Sequence, residues 1–228
     1  MRSRAAAAAS TGCAALLWAG CLLREDGAPA PIVPLAVGNS WDYVDSAYYG
    51  PDSVGLDSTH IDVPGARTVV VGGDTQTVYL WNVRDRATGL PGALTLYVAN
   101  RRDGEHTLGA ARDTAEFLFG TLHVKHPGKR GERYVTHFLD LQPQGDGYAP
   151  VIDTVEIEIA VPDTTCVTPA GTFACTEYRG RRAGTLFART WYAPGVGYLG
   201  SETTRDVAVN GLTRHDVFRK RLVSYTLH

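Results

Sequence analysis

The sequence predicts an all-β protein: an antiparallel meander forming a strongly curved sheet or an open barrel, with little helix. Three observations carry this reading. Short apolar runs alternate with a period of two, the spacing of a strand with one buried and one wet face. Twenty-five glycines and twelve prolines fall between those runs, as turns fall between strands. Only one short stretch, residues 109–117, reads as helix.

The elements follow in order. Arg2 and Arg4 precede an uncharged, small and apolar run over residues 5–20, the layout of an export signal. Residues 17–21, Leu-Trp-Ala-Gly-Cys, resemble a bacterial lipobox, with Trp18 at the usual leucine position and Leu17 one step early. That resemblance implies cleavage before Cys21 and lipidation of its thiol. Two alternatives stay open: a retained membrane helix, for which the alanine-rich run is marginal, and cleavage after Ala30. Removing residues 1–20 takes Arg2 and Arg4 from 22 basic side chains and leaves 24 acidic ones, a net charge of −4. Residues 21–33, with Pro29 and Pro31, read as a lipidated tether. Residues 34–228 read as one β domain.

Strands are expected near 41–48, 67–71, 77–83, 94–100, 118–126, 132–141, 154–161, 173–178, 186–192, 198–209 and 212–225. The clearest is marked by Val155, Ile157, Ile159 and Val161, set between polar neighbours at Thr154, Glu156 and Glu158. Turn residues separate the strands at 72–74, 102–104, 127–128 and 194–195. Asn210-Gly211 is a type I′ hairpin signature; it sets Arg205 opposite Asp216 and Asp206 opposite His215. Cys166 and Cys175 remain once Cys13 is assigned to the signal and Cys21 to the lipid. They lie symmetrically about Ala170-Gly171, which predicts a disulfide between facing strand positions of an exported hairpin.

Charge and motifs narrow the function classes. Near-balance between 22 basic and 24 acidic residues provides no field for gathering nucleic acid. No nucleophile elbow, Walker loop, zinc-protease helix or dinucleotide fingerprint is present, so no enzyme is expected and no catalytic residue is assigned. Residues 70–74 read as a turn and not as a phosphate loop, since no Lys-Ser/Thr follows. His123, His126 and His137 flank one turn; a register placing His123 opposite His137 brings together two imidazoles where zinc needs three or four ligands. Residues 52–58 are oxygen-rich but lack EF-hand spacing. Neither a metal nor any cofactor is expected. Lys125, His126, Lys129, Arg130 and Arg133 form a basic tip read as solvated, with anionic head groups as its alternative partner. Trp41, Tyr43, Tyr48 and Tyr49 read as core and sheet-face aromatics.

Three stretches carry a wider resemblance: residues 34–43 (PLAVGNSWDY), 169–175 (PAGTFAC) and 191–199 (WYAPGVGYL). In this order, closed by a strand at 221–225, they resemble a broad group of exported bacterial β proteins, many of them lipoproteins, most without an assigned activity. The resemblance implies a lipid-anchored envelope protein and transfers no catalytic residue. At the level of fold it is similar to the half-barrels of periplasmic lipoprotein carriers. The functional expectation is therefore a tethered β module binding an apolar or envelope-derived ligand. The alternative is a structural or assembly protein acting through protein contacts in the envelope.

Overall fold

A computed structural model describes residues 30–50, 54–85, 94–113, 115–144, 147–209 and 211–228. The signal, Cys21 and Asn210 lie outside the described residues. Thirteen strands form one antiparallel sheet, nearly closed as a barrel, with no helix among the described residues. They are β1 (Ser40–Tyr49), β2 (Val54–Asp62), β3 (Ala66–Val71), β4 (Asp74–Asp85), β5 (Leu94–Arg101), β6 (Gly104–Arg112) and β7 (Ala115–Lys125). The second half holds β8 (Arg133–Gln144), β9 (Gly147–Thr168), β10 (Gly171–Arg182), β11 (Thr185–Ala193), β12 (Gly197–Val209) and β13 (Leu212–Thr226). The order around the sheet is β7-β6-β5-β4-β2-β1-β13-β12-β11-β10-β9-β8.

β4 pairs with β5 along one edge and serves two partners along the other. Its first half pairs with β3 and its last residues with β2. The β3–β4 hairpin folds over the outer face of β5 and β6, where Val69, Val78, Tyr97 and Leu108 make a small second core. This explains why residues 77–83 are apolar on both faces. Trp81 points into the barrel while Val78 and Leu80 lie under the outer layer.

Two strands escaped the sequence reading for opposite reasons. β2 begins with Val54 and Leu56 both exposed, so its start has no buried face and reads as a polar loop. β6 is buried at eight of nine positions, being covered inside and out, so it shows no alternation. The helix expected over 109–117 is corrected: these residues end β6, turn at Asp113 and begin β7, closed by Arg112 opposite Ala115. Burial on both sides decides here against a weak helical pattern.

The predicted register at the last hairpin is borne out, with Val209 opposite Leu212, Arg205 opposite Asp216 and Asp206 opposite His215. Cys166 and Cys175 are disulfide-bonded, with Cα atoms 6.0 Å apart. Their expected direct opposition is corrected. Thr168 pairs with Gly171, so Cys166 faces Phe173 and Cys175 faces Thr164. The bond runs diagonally, because Pro169 and Ala170 form a two-residue loop whose proline need not donate a hydrogen bond. The Thr168 hydroxyl accepts the Ala170 N–H at 3.2 Å. The tether assigned to 21–33 also ends early, since Ile32 and Val33 are fully buried.

The three resemblance stretches meet at one end. Asn39 Nδ2 donates to the Pro34 carbonyl and its Oδ1 accepts the His228 N–H, both at 2.8 Å. Trp41 Nε1 donates to the Val196 carbonyl at 2.7 Å and the Tyr43 hydroxyl to the Tyr198 carbonyl at 2.9 Å. Gly195 N–H bonds the Pro31 carbonyl. The Ala170 N–H reaches the Leu222 carbonyl. Residues 30–35 thus plug this end, and the aromatics of β1 are stitched to the turn between β11 and β12.

Candidate functional site

The barrel joins itself at two places. β1 and β13 close by a ladder running from Ser40–Thr226 to Tyr49–Asp216. β7 and β8, the two ends of the sheet, have no ladder between them. Their edge groups are met by side chains. Tyr134 Oη donates to the His123 carbonyl at 3.1 Å and accepts the Lys125 N–H at 3.2 Å. Tyr178, from β10 across the barrel, donates to the Lys125 carbonyl at 2.9 Å. Thr121 Oγ1 accepts the His137 N–H. Leu139 and Leu141 pack on Ala110, Leu96 and Phe119, while Phe138, on the opposite face of β8, turns to the cavity mouth, edge-on to His123.

Beside this seam lies a cavity of about 410 Å³. Its floor and walls are Val33, Ile61, Trp81, Leu96 and Val98, with Tyr134, Tyr178, Tyr192 and Tyr198 opposite. Trp81 stacks on Trp41 at 4.7 Å between ring centres, and Tyr192 sits between Tyr178 and Tyr198 at 5.7 and 5.3 Å. The mouth carries Phe138, Phe187 and the Arg182–Asp153 ion pair, with the guanidinium 4.1 Å from the Phe187 ring centre. A more polar compartment of about 480 Å³ shares Ser201 and Thr203 with this cavity. There Lys220 meets Asp45 at 3.2 Å, and the Thr59 hydroxyl donates to Asp45 at 2.6 Å.

One acid is set into this apolar wall. Glu105 is 5% exposed, and its Oε1 lies 2.9 Å from His123 Nδ1. Glu105 reaches the interior through irregular pairing, since β6 and β7 slip register at Glu105–His106. Gly104, φ +141°, permits the approach; a Cβ there would stand 2.0 Å from the Val124 carbonyl oxygen. Burial alone lowers the pKa of His123, but the Glu105 charge and hydrogen bond outweigh it and raise the value above 6.5. Burial, followed by the Glu105 charge, holds the Tyr192 phenol well above its ordinary range. Neutral tyrosines and a carboxylate-paired imidazole are therefore the resting state at neutral pH.

The other residues singled out in the sequence fall elsewhere. His137 does not face His123; its Nδ1 contacts the Thr154 hydroxyl. Among the described residues no cluster of three or more His, Cys, Asp or Glu has metal-binding spacing. In the basic tip Lys125 pairs with Glu132, Arg130 donates to the Ala160 carbonyl, and Arg133 lies near Glu156 and Glu158. The disulfide hairpin sits away from the cavity mouth, near Leu199 and Trp191. Glu105 drew no notice in the sequence. A carboxylate inside an otherwise small and apolar run, followed by His106, Leu108 and Ala110, was the available signal.

Comparison with family models, with curated proteins and with solved structures finds no match to this chain.

Proposed function

We propose that this protein is a non-catalytic binding module of the bacterial cell envelope. It holds an apolar ligand inside its barrel and is tethered to a membrane through lipidated Cys21. The cavity carries the reading: about 410 Å³ enclosed by aliphatic and aromatic side chains is the setting in which proteins bury small apolar molecules. At interior packing density it accommodates roughly fifteen non-hydrogen atoms. The closed floor supports retention, because a ligand entering at the Arg182–Asp153 mouth meets Trp81, Val33 and Ile61 at the far end. Tethering rests on the sequence around Cys21, and two or more acyl chains give stable attachment.

Native mass spectrometry of protein purified from its own membrane tests the binding function. The expected result is a co-purified apolar molecule, absent from an Ala188→Trp variant whose indole fills the cavity. A ligand-free wild-type protein, together with normal folding of the variant, would favour the assembly-protein alternative. Cys21→Ser tests the tether; it is expected to abolish acylation and membrane fractionation, and unchanged mass and fractionation would revive the retained helix.

A further inference from the structure

We propose that the cavity selects a neutral apolar molecule bearing one carbonyl oxygen, a medium-chain ketone or ester, which Tyr192 and His123 hold by hydrogen bonds. This deepens the binding function above and rests on it.

The first argument is an accounting of polar groups. Most aromatic donors around the barrel interior are committed to protein acceptors: Trp41 to Val196, Tyr43 to Tyr198, Tyr134 to His123, Tyr178 to Lys125, and Tyr198 to Ser201. Tyr192 and Trp81 differ. They are 7% and 8% exposed, they line the cavity, and neither hydroxyl nor indole N–H has a partner among the described residues. Neither residue's polar atom is fully enclosed, so both are accessible from the cavity and free to meet a ligand. His123 adds a third group, since Nδ1 is held by Glu105 and Nε2 has no partner among the described residues. A carboxylate only accepts, so the proton of Nδ1 faces Glu105, and Nε2 donates when the ring is protonated, the form that the Glu105 hydrogen bond and charge favour. An oxygen acceptor satisfies these donors.

The second argument is charge. Two carboxylates line the main cavity, Glu105 and Asp153, and each already has its cation, His123 and Arg182 respectively. A fatty-acid carboxylate would bring a further negative charge next to Glu105 without a free partner. An amine would bring a positive charge with no free carboxylate. Charges buried without a partner are strongly disfavoured. A neutral carbonyl escapes both penalties. Tyr192 and His123 are thus the ligand contacts, and Glu105 is a positioning residue acting through His123.

The test uses the full chain carrying Cys21→Ser and three probes of matched length: 2-undecanone, decanoate and undecane. Binding is followed by tryptophan fluorescence, since Trp81 lines the cavity. Near neutral pH the ketone is expected to bind about ten-fold more tightly than decanoate. Tyr192→Phe keeps the ring and removes the hydroxyl; it should weaken the ketone about five-fold and leave undecane unchanged. Decanoate binding as tightly as the ketone would overturn the inference, as would equal losses of ketone and undecane in Tyr192→Phe. Undecane binding with no ketone preference would overturn it while leaving the apolar cavity standing. Failure of all three probes would overturn the cavity reading itself. Should Tyr192→Phe not fold, the ketone-to-decanoate ratio of the unaltered cavity decides.

Discussion

The two joins of this barrel solve one problem by different means. Between β1 and β13 the backbone closes on itself through a continuous ladder, interrupted by one bulge at Asp42–Tyr43. Between β7 and β8 the backbones do not pair, and Tyr134, Tyr178 and Thr121 supply the missing partners one at a time. A ladder fixes register but leaves no room between strands. A side-chain seam gives up that rigidity and sets polar groups beside the cavity wall. Among the described residues the one His–Glu pair lining the main cavity lies on the seam side, whereas the ladder side is floored by Trp41, Tyr43 and Leu222, all essentially inaccessible.

Four measurements would break or sharpen this contrast. Trp41→Ala should cost about 3–5 kcal/mol, read as a lower urea midpoint, because it empties the ladder side's floor and orphans the Val196 carbonyl. A loss under about 1 kcal/mol would mean that this end is not the stable one. Cys166→Ser with Cys175→Ser should cost about 2–3 kcal/mol, as expected for a short closed loop. Ligand binding should be unchanged, since the hairpin docks on β13 and not at the mouth. Tyr134→Phe should cost about 1–2 kcal/mol, and the Lys125 amide should exchange faster while amides of β1 stay protected. Unchanged exchange at Lys125 would show that the seam does not depend on that hydroxyl.

The smallest effect concerns pH. The folded pKa of His123 is raised above its unfolded value of 6.5. Its pairing with Glu105 therefore stabilises the fold fully below pH 6.5 and ceases to do so as pH rises through the folded pKa. Tyr134, Tyr178 and Tyr192 face the same region with raised pKa values, so they stay neutral across that window. Stability should decline gently through it, and Glu105→Gln should flatten the decline. An identical slope in wild type and variant would assign the titration to another group.

The architecture was legible wherever a strand has one dry face and one wet face. Val155, Ile157 and Ile159 gave β9 away, and the Asn210-Gly211 signature set the β12–β13 register correctly. The reading failed where burial is symmetric. β6 hides on both sides, so Leu108 and Ala110 carry no alternation, and β2 starts with neither side covered. The disulfide was legible from cysteine counting; its diagonal register was not, because it depends on which residues Pro169 leaves free to pair. The site was less legible still. His123 was weighed only as half of an imidazole pair with His137, which instead contacts Thr154, while Glu105, five residues beyond the strand read at 94–100, entered the interior only through a bulge. Where a ladder slips register, as β6 and β7 do at Glu105–His106, the pairing follows no simple spacing rule in the sequence.

The ladder between β1 and β13 has a further consequence, for the order of assembly. Most other pairings join strands that are consecutive or nearly so along the chain, and local hairpins form on the microsecond scale. β1 and β13 instead bring together groups as far apart as Ser224 and Asp42, 182 positions distant. Closing a flexible loop of that length costs about 4–5 kcal/mol of chain entropy before any contact repays it. Hairpins can therefore zip as an open sheet while synthesis proceeds, but the barrel acquires an inside only when its final strand arrives. Until then Trp81, Tyr192 and Glu105 line a surface, and the container is completed by the last fifteen residues of β13.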